Sequence, residues 1–200
     1  KLNVLVWNGG SVTLSKVGTY SGETSVVGKL RLADHGSIPN SSTIILQSGE
    51  LDARLRHDGT FTLTTAQTLH NDPTTGEIDR LYDIRILGRL KLEGTVELEV
   101  SKTTAGIATD RITGPTQIAF GGQLKLQLLD QPLAAGDTLS LFSAGGYSGA
   151  FASIEPSEPG PGLAWDTSTL ATDGTVRVVA AGSVAPKIGV TQTDGGKVLS

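Results

Sequence analysis

The chain has 200 residues, 38% of them hydrophobic and 18% charged, with 26 glycines and a formal net charge of -4. That length suits one substantial core, and the many glycines beside few charges describe a turn-dense, strand-rich chain and not a disordered one. The acidic balance leaves no broad basic field for counterion release, which argues against a nucleic-acid partner, and the absence of cysteine excludes a disulfide framework, a thiolate metal site and a cysteine nucleophile.

No window approaches the roughly 18 apolar residues of a membrane span, and the N-terminus carries no charged-then-apolar signal. The chain starts at Lys1 and contains no methionine, so it reads as a fragment or processed product, any export signal being expected upstream.

In chain order, the first clear element is GTYSGETSVVGKLRLADHGS, residues 18–37, which reads as strand, turn, strand. Its pattern Gly-x-Leu-x-[Leu/Ala] occurs at Gly28-Leu30-Leu32, Gly49-Leu51-Ala53, Gly88-Leu90-Leu92 and Gly122-Leu124-Leu126. Four residues before each Gly stands a β-branched residue, Thr24, Ile45, Ile84 or Ile118, opening a short run suited to a strand. The first two glycines lie about 20 residues apart and the later gaps are longer, as stacked coils with insertions would give. In each copy the Leu and its partner two positions on share one face, and the residue between them points the other way. One such coil cannot bury its apolar face alone, whereas stacking turns each Leu position into a ladder through a continuous interior. The recurring Gly is expected to supply the corner through a positive φ. A solenoid is therefore the preferred reading for residues 1–128, with an ordinary antiparallel sandwich as the alternative.

Between these copies lie the segments that could carry chemistry. ARLRHDG places Arg54 and Arg56 as outward alternates around Leu55, followed by His57 and Asp58. Such a strand surface could grip an acidic sugar, although solvated charges opposite an apolar face explain it as well. HNDPTTGEID puts Asp72, Glu77 and Asp79 in one loop with oxygen ligands enough for calcium, but without the alternating Asp spacing of a dedicated calcium loop. His35, His57 and His70 sit beside turn-forming residues with no metal-ligand spacing. Asp34, His35 and Ser37 are adjacent in sequence, which is not how triads converge. The aromatics Trp7, Tyr20, Tyr147 and Trp165 could stack on sugars, yet in a chain with 4% aromatics they are expected to plug ends and corners of the core. No catalytic, cofactor-binding or metal-ligating residue is assigned, and no cofactor is implied.

TTAGIATDRITG is too rich in Thr and Gly to sustain a helical stripe. From Leu128 the texture changes: strands are expected at Thr138–Phe142, Ala150–Ile154, Leu163–Trp165 and Thr175–Val179, with a Pro- and Gly-rich loop at Glu155–Gly162 and a turn ending in Asp173-Gly174. Residues 129–182 read as a β cap closing the stack. Residues 183–200 read as a linker and the start of a following module.

The stretch VGTYSGETSVVGKLRL, with the opening LVWNGGSVTLS, resembles the autotransporter-associated β-strand repeat, in which Gly-x-Tyr-[Ser/Thr]-Gly-x-Thr precedes a Gly-x-Leu-x-Leu strand. The clearest match covers Val4 to Leu32, and one copy carries the full Tyr-Ser-Gly-x-Thr signature. The segment from Pro132 to Val179 is similar to the tail that follows such repeats in large secreted or surface proteins of environmental bacteria. The resemblance implies an all-β, right-handed parallel β-helix, export to the cell surface or beyond, and a structural or adhesive passenger role without catalytic residues. The expected partners are neighbouring domains of a longer chain and extracellular polysaccharide or cell-surface material. A carbohydrate-binding accessory module, and after it a β-helix lyase or hydrolase, are the alternatives.

Overall fold

The computed structural model of the chain describes residues 3–71, 81 and 83–182. The first strands are β1 (Val4–Val6), β2 (Ser11–Leu14), β3 (Thr24–Val26), β4 (Lys29–Asp34), β5 (Thr43–Leu46), β6 (Glu50–Arg56) and β7 (Thr60–Leu63). They are followed by β8 (Thr68–His70), β9 (Asp83–Leu92), β10 (Thr95–Thr103), β11 (Gly106–Thr109), β12 (Arg111–Phe120) and β13 (Gln123–Asp130). The last are β14 (Thr138–Ser140), β15 (Phe142–Ser143), β16 (Tyr147–Gly149), β17 (Ser153–Glu155), β18 (Leu163–Asp166), the helical turn α1 (Leu170–Asp173) and β19 (Thr175–Ala180).

The chain is all-β and its strands are sorted into two large sheets and one small one. The first sheet runs β1-β3-β5-β8-β10-β13-β17, and the second runs β2-β4-β6-β9-β12-β15, with β7 and β16 pairing on β9 and β12. Neighbours along both paths are parallel. The chain thus visits the two sheets by turns, laying each new strand beside the one it placed there one visit earlier. This is not the strand order of an antiparallel sandwich, where hairpins pair sequence neighbours.

The register converts the Gly-x-Leu pattern into ladders of apolar side chains. In the first sheet Val4, Thr24, Ile44, Leu69, Val96, Leu124 and Ile154 are successive partners. In the second, Val12, Leu30, Leu51 and Ile86 form one ladder and Phe61, Leu90, Ile118 and Tyr147 another. Leu30, Leu51, Leu90 and Leu124 are all buried, as expected, within one continuous core. The polar rung at Thr24 is satisfied: its hydroxyl shares hydrogen bonds with Tyr20 Oη (2.9 Å) and Ser41 Oγ (2.8 Å).

The four copies are not equivalent. Leu30 and Leu51 share a ladder, Leu90 lies on a second ladder of the same sheet, and Leu124 belongs to the other sheet. Nor is positive φ the reason for their glycines, except at Gly88 (φ 104°). A Cβ on Gly28 would lie 2.3 Å from the carbonyl oxygens of Gly10 and Trp7, on Gly49 2.1 Å from that of Val26, and on Gly122 1.9 Å from that of Gly94. The corners stack so closely, through bonds such as Lys29 N–H to Gly10 O (2.9 Å) and Gln123 N–H to Gly94 O (3.0 Å), that no side chain fits between them. Gly28 and Gly49 stand where the chain passes into the second sheet and Gly122 where it returns to the first. One motif written at both corners explains the loose spacing.

The parallel sheets continue past Leu128, since β15, β16 and β17 extend them. Beside this end, β14, β19 and β18 form a three-stranded antiparallel sheet whose Leu139, Val176 and Val178 join the same core. A cluster of Phe120, Phe142, Tyr147 and Phe151 fills the junction, with Phe120 at 5.0 to 5.9 Å from the other three rings. TTAGIATDRITG is not helical: β11 folds back on β10 as an antiparallel hairpin before β12. The expected turn before Gly174 is the single helical turn α1, ended by Gly174 at φ 76°. The expected strand at Ala150–Ile154 starts later, at Ser153. Residues 183–200 lie outside the described residues. Among the described residues no helix is long and apolar enough to cross a membrane.

Candidate functional site

The basic stretch of β6 does not alternate as the sequence suggests. A register shift between β4 and β6, after the Arg31–Asp52 pair, inserts a bulge that turns the strand, so Leu55 faces solvent at 60% exposure. Arg54 is exposed and grips Asp52 in a bidentate pair, Nε to Oδ1 at 2.9 Å and Nη2 to Oδ2 at 2.8 Å. That hydrogen bonding, against the opposing effect of burial, holds the Asp52 carboxyl below its ordinary range. The Arg56 side chain is largely covered, with Nε 3.0 Å from Asp58 Oδ1 and Nη1 on the carbonyl of Gly36. Asp58 also accepts the Thr60 N–H at 2.9 Å, and Arg56 foremost draws its carboxyl down to about 2. The pair therefore fastens one turn to the turn below it.

His57 belongs to the same junction. Its backbone N–H (2.9 Å) and its Nδ1 (3.1 Å) both meet the Asp34 carbonyl, and its ring lies 4.6 Å from that of His35. Ser37 instead bridges to Val17, its carbonyl accepting the Gly18 N–H at 2.7 Å. Asp34, His35 and Ser37 are thus neighbouring residues of a stacked turn. His70 sits buried in β8 in register with Ile45, away from the other two histidines in the strand order.

The acidic loop residues Asp72, Glu77 and Asp79 lie outside the described residues. Just before them is a group that sequence reasoning missed. Asn71, 3% exposed, donates from Nδ2 to Asp110 Oδ1 at 3.0 Å, and Asp110, 1% exposed, accepts the Glu99 N–H at 2.9 Å through its other oxygen. A carboxylate this deep must be hydrogen-bonded to persist. Its partner is 39 residues away in sequence, so no local signal announces it. Among the described residues no three His, Asp or Glu side chains gather as metal ligands.

The four aromatics form no platform. Trp7 is 71% exposed beside the first-sheet edge strand β1, contrary to the expectation that it plugs the core: it follows β1 in the outward phase of Leu5, while Val4 and Val6 turn inward. Tyr20 is half-buried over Thr24, and burial, partly countered by that hydrogen bond, raises its hydroxyl. Tyr147 and Trp165 belong to the opposite end. Tyr147 stacks on Phe120 and accepts the Ala144 N–H at 3.0 Å, and Trp165 Nε1 donates to the Pro156 carbonyl at 2.8 Å.

The outer face of the second sheet carries a third arrangement. Glu50 is bridged by Lys29 Nζ (2.7 Å) and Arg85 Nε (2.8 Å) from the strands on either side. Burial raises its pKa, and the two cations outweigh that and hold it below the ordinary value. No protein-family model, no curated protein and no solved structure matches this chain.

Proposed function

We propose that the chain is a β-solenoid, a right-handed parallel β-helix capped by β14, β18 and β19, and that it serves as a non-catalytic structural or adhesive segment of a large exported bacterial surface protein. The observation that carries the reading is the unbroken seven-member ladder of the first sheet, from Val4 to Ile154. A stack of this kind lengthens by adding units of the same register, which is the property a spacer needs. Among the charged groups singled out in sequence, the basic pair of β6 supports it too. Arg54 and Arg56 are spent on Asp52, Asp58 and the Gly36 carbonyl, contacts that join one turn to itself or to its neighbour. The resemblance of residues 4–32 to the repeats of surface passengers supplies the cellular setting.

The test is a screen of the purified chain against neutral and acidic polysaccharides, with and without calcium, for new reducing ends or unsaturated products. The reading expects none. Turnover that Arg54→Ala/Arg56→Ala abolishes would replace it with a β-helix lyase or hydrolase.

A further inference from the structure

The outer face of the second sheet is cationic although the chain as a whole is acidic. β4 and β9 direct Lys29, Arg31, Arg85, Arg89 and Lys91 outward, in alternation with the buried Leu30, Leu32, Ile86, Leu90 and Leu92, and β6 adds the exposed Arg54 at its bulge. These six cations meet three carboxylates, Glu50, Asp52 and Glu93, and a fourth outward carboxylate, Asp83 of β9, is paired with Arg111 of β12. Glu50 is shared by two of the cations. Arg31 and Arg89 have no carboxylate within 4.0 Å among the described residues: Arg31 reaches the Ser11 hydroxyl at 3.4 Å and Arg89 donates to the Asp58 carbonyl. No aromatic ring belongs to any of the three strands.

We propose that this face binds an acidic polysaccharide, one bearing a carboxylate or sulfate on most of its sugar rings, laid across the strands. Parallel register sets Arg31 across from Asp52 and, beyond it, Leu87, and Arg89 lies two residues further along β9, so the two unpaired charges stand two strands apart across the sheet and about 12 Å from each other at the backbone. A linear glycan charged on most of its rings carries charges more closely spaced than that, so rings two or three apart can meet the two arginines, and its hydroxyls can reach Thr13, Thr60 and Thr62 on the same face. Nucleic acid fits less well. Its denser phosphate charge, about one per 1.7 Å of duplex, would be repelled by the interspersed carboxylates. A single strand would find no ring to stack on. The assignment gives the adhesive part of the proposed function its ligand and rests on that reading.

The full chain is immobilised and titrated at low ionic strength with polygalacturonate, dextran sulfate, uncharged dextran and oligo(dT). Saturable binding to at least one acidic glycan is expected, weakening as salt is added, with none to dextran. The first two probes separate carboxylate from sulfate recognition. Arg31→Gln/Arg89→Gln should weaken binding about tenfold or more because both uncompensated charges are gone, while Arg177→Gln on β19 should not. If the double variant melts early, Arg31→Gln alone, whose side chain hydrogen-bonds only Ser11 among the described residues, carries the comparison. Failure of both acidic glycans to bind, undiminished binding by the variant, or tighter binding of oligo(dT) would overturn the proposal. The structural reading would survive a lack of binding, whereas turnover of the glycan would overturn it.

Discussion

Gly122→Ala is the substitution on which stacked corners and ordinary turns disagree most. At this residue φ is not positive, so backbone preference alone would tolerate alanine and even favour it. The new methyl would lie 1.9 Å from the Gly94 carbonyl oxygen and 2.6 Å from that of Glu93, both backbone atoms that cannot swing aside. Relief requires the corner to move by about an ångström, far enough to break the Gln123 N–H to Gly94 O bond at 3.0 Å. Leaving that donor and acceptor without partners costs about 1–3 kcal/mol each, so the expected loss is roughly 3–5 kcal/mol out of a typical 5–15 kcal/mol. For a chain of this size that lowers Tm by about 10 °C. Gly146→Ala is the control, since no atom lies within 4 Å of the place its methyl would take and φ is ordinary there, and it should melt within about 2 °C of the parent. Circular dichroism or calorimetry reads both. A Gly122→Ala protein that melts with the parent, or a Gly146→Ala protein that falls as far, would refute close corner stacking.

Leu51→Asp places an uncompensated carboxylate on a fully buried rung between Leu30 and Ile86 and should abolish the cooperative melting transition, as followed by circular dichroism. The Arg56–Asp58 pair predicts an acid-dependent term. Because the Asp58 carboxyl is drawn from its ordinary 3.8 down to about 2, its contribution is present above pH 4 and fades as pH falls through 2. Since Asp58 is partly exposed, the effect is small. Thermal scans from pH 5 to pH 2 should show a shallower loss in Asp58→Asn than in the parent, and an identical slope in the two would remove the pair from the stability account.

What was legible in the sequence was the strand content and the inward phase of each Leu, because alternation of faces is a local property of a strand. Leu30, Leu51, Leu90 and Leu124 needed nothing more than their own neighbours to be placed inside. Which sheet each strand joins was not legible, since Gly28 and Gly122 open identical patterns at opposite corners and differ only in what lies beneath them. The bulge that exposes Leu55 and covers Arg56 arises from the pairing of β6 with β4, which neither strand encodes alone. The candidate binding face is the same kind of property: Arg31 and Arg89 come to share one face through the parallel register of strands distant in sequence. Trp7 misled because large aromatics are usually buried, whereas its position just past an edge strand, in that strand's outward phase, leaves it in solvent.

The proposed solenoid is tested most directly by disulfide trapping, for which the absence of native cysteine is convenient. In the parallel register Thr95 faces Gln123 and Gln123 faces Ser153, each about 4.8 Å apart along the sheet and within bridging distance. Thr95→Cys/Gln123→Cys and Gln123→Cys/Ser153→Cys should therefore each close an intramolecular disulfide under mild oxidation, detected by mass shift after alkylation. Thr95→Cys/Lys125→Cys, offset by two residues and about 8 Å apart, should remain reduced. Ready closure of the offset pair, or failure of both register pairs in protein that still melts cooperatively, would contradict stacked parallel coils.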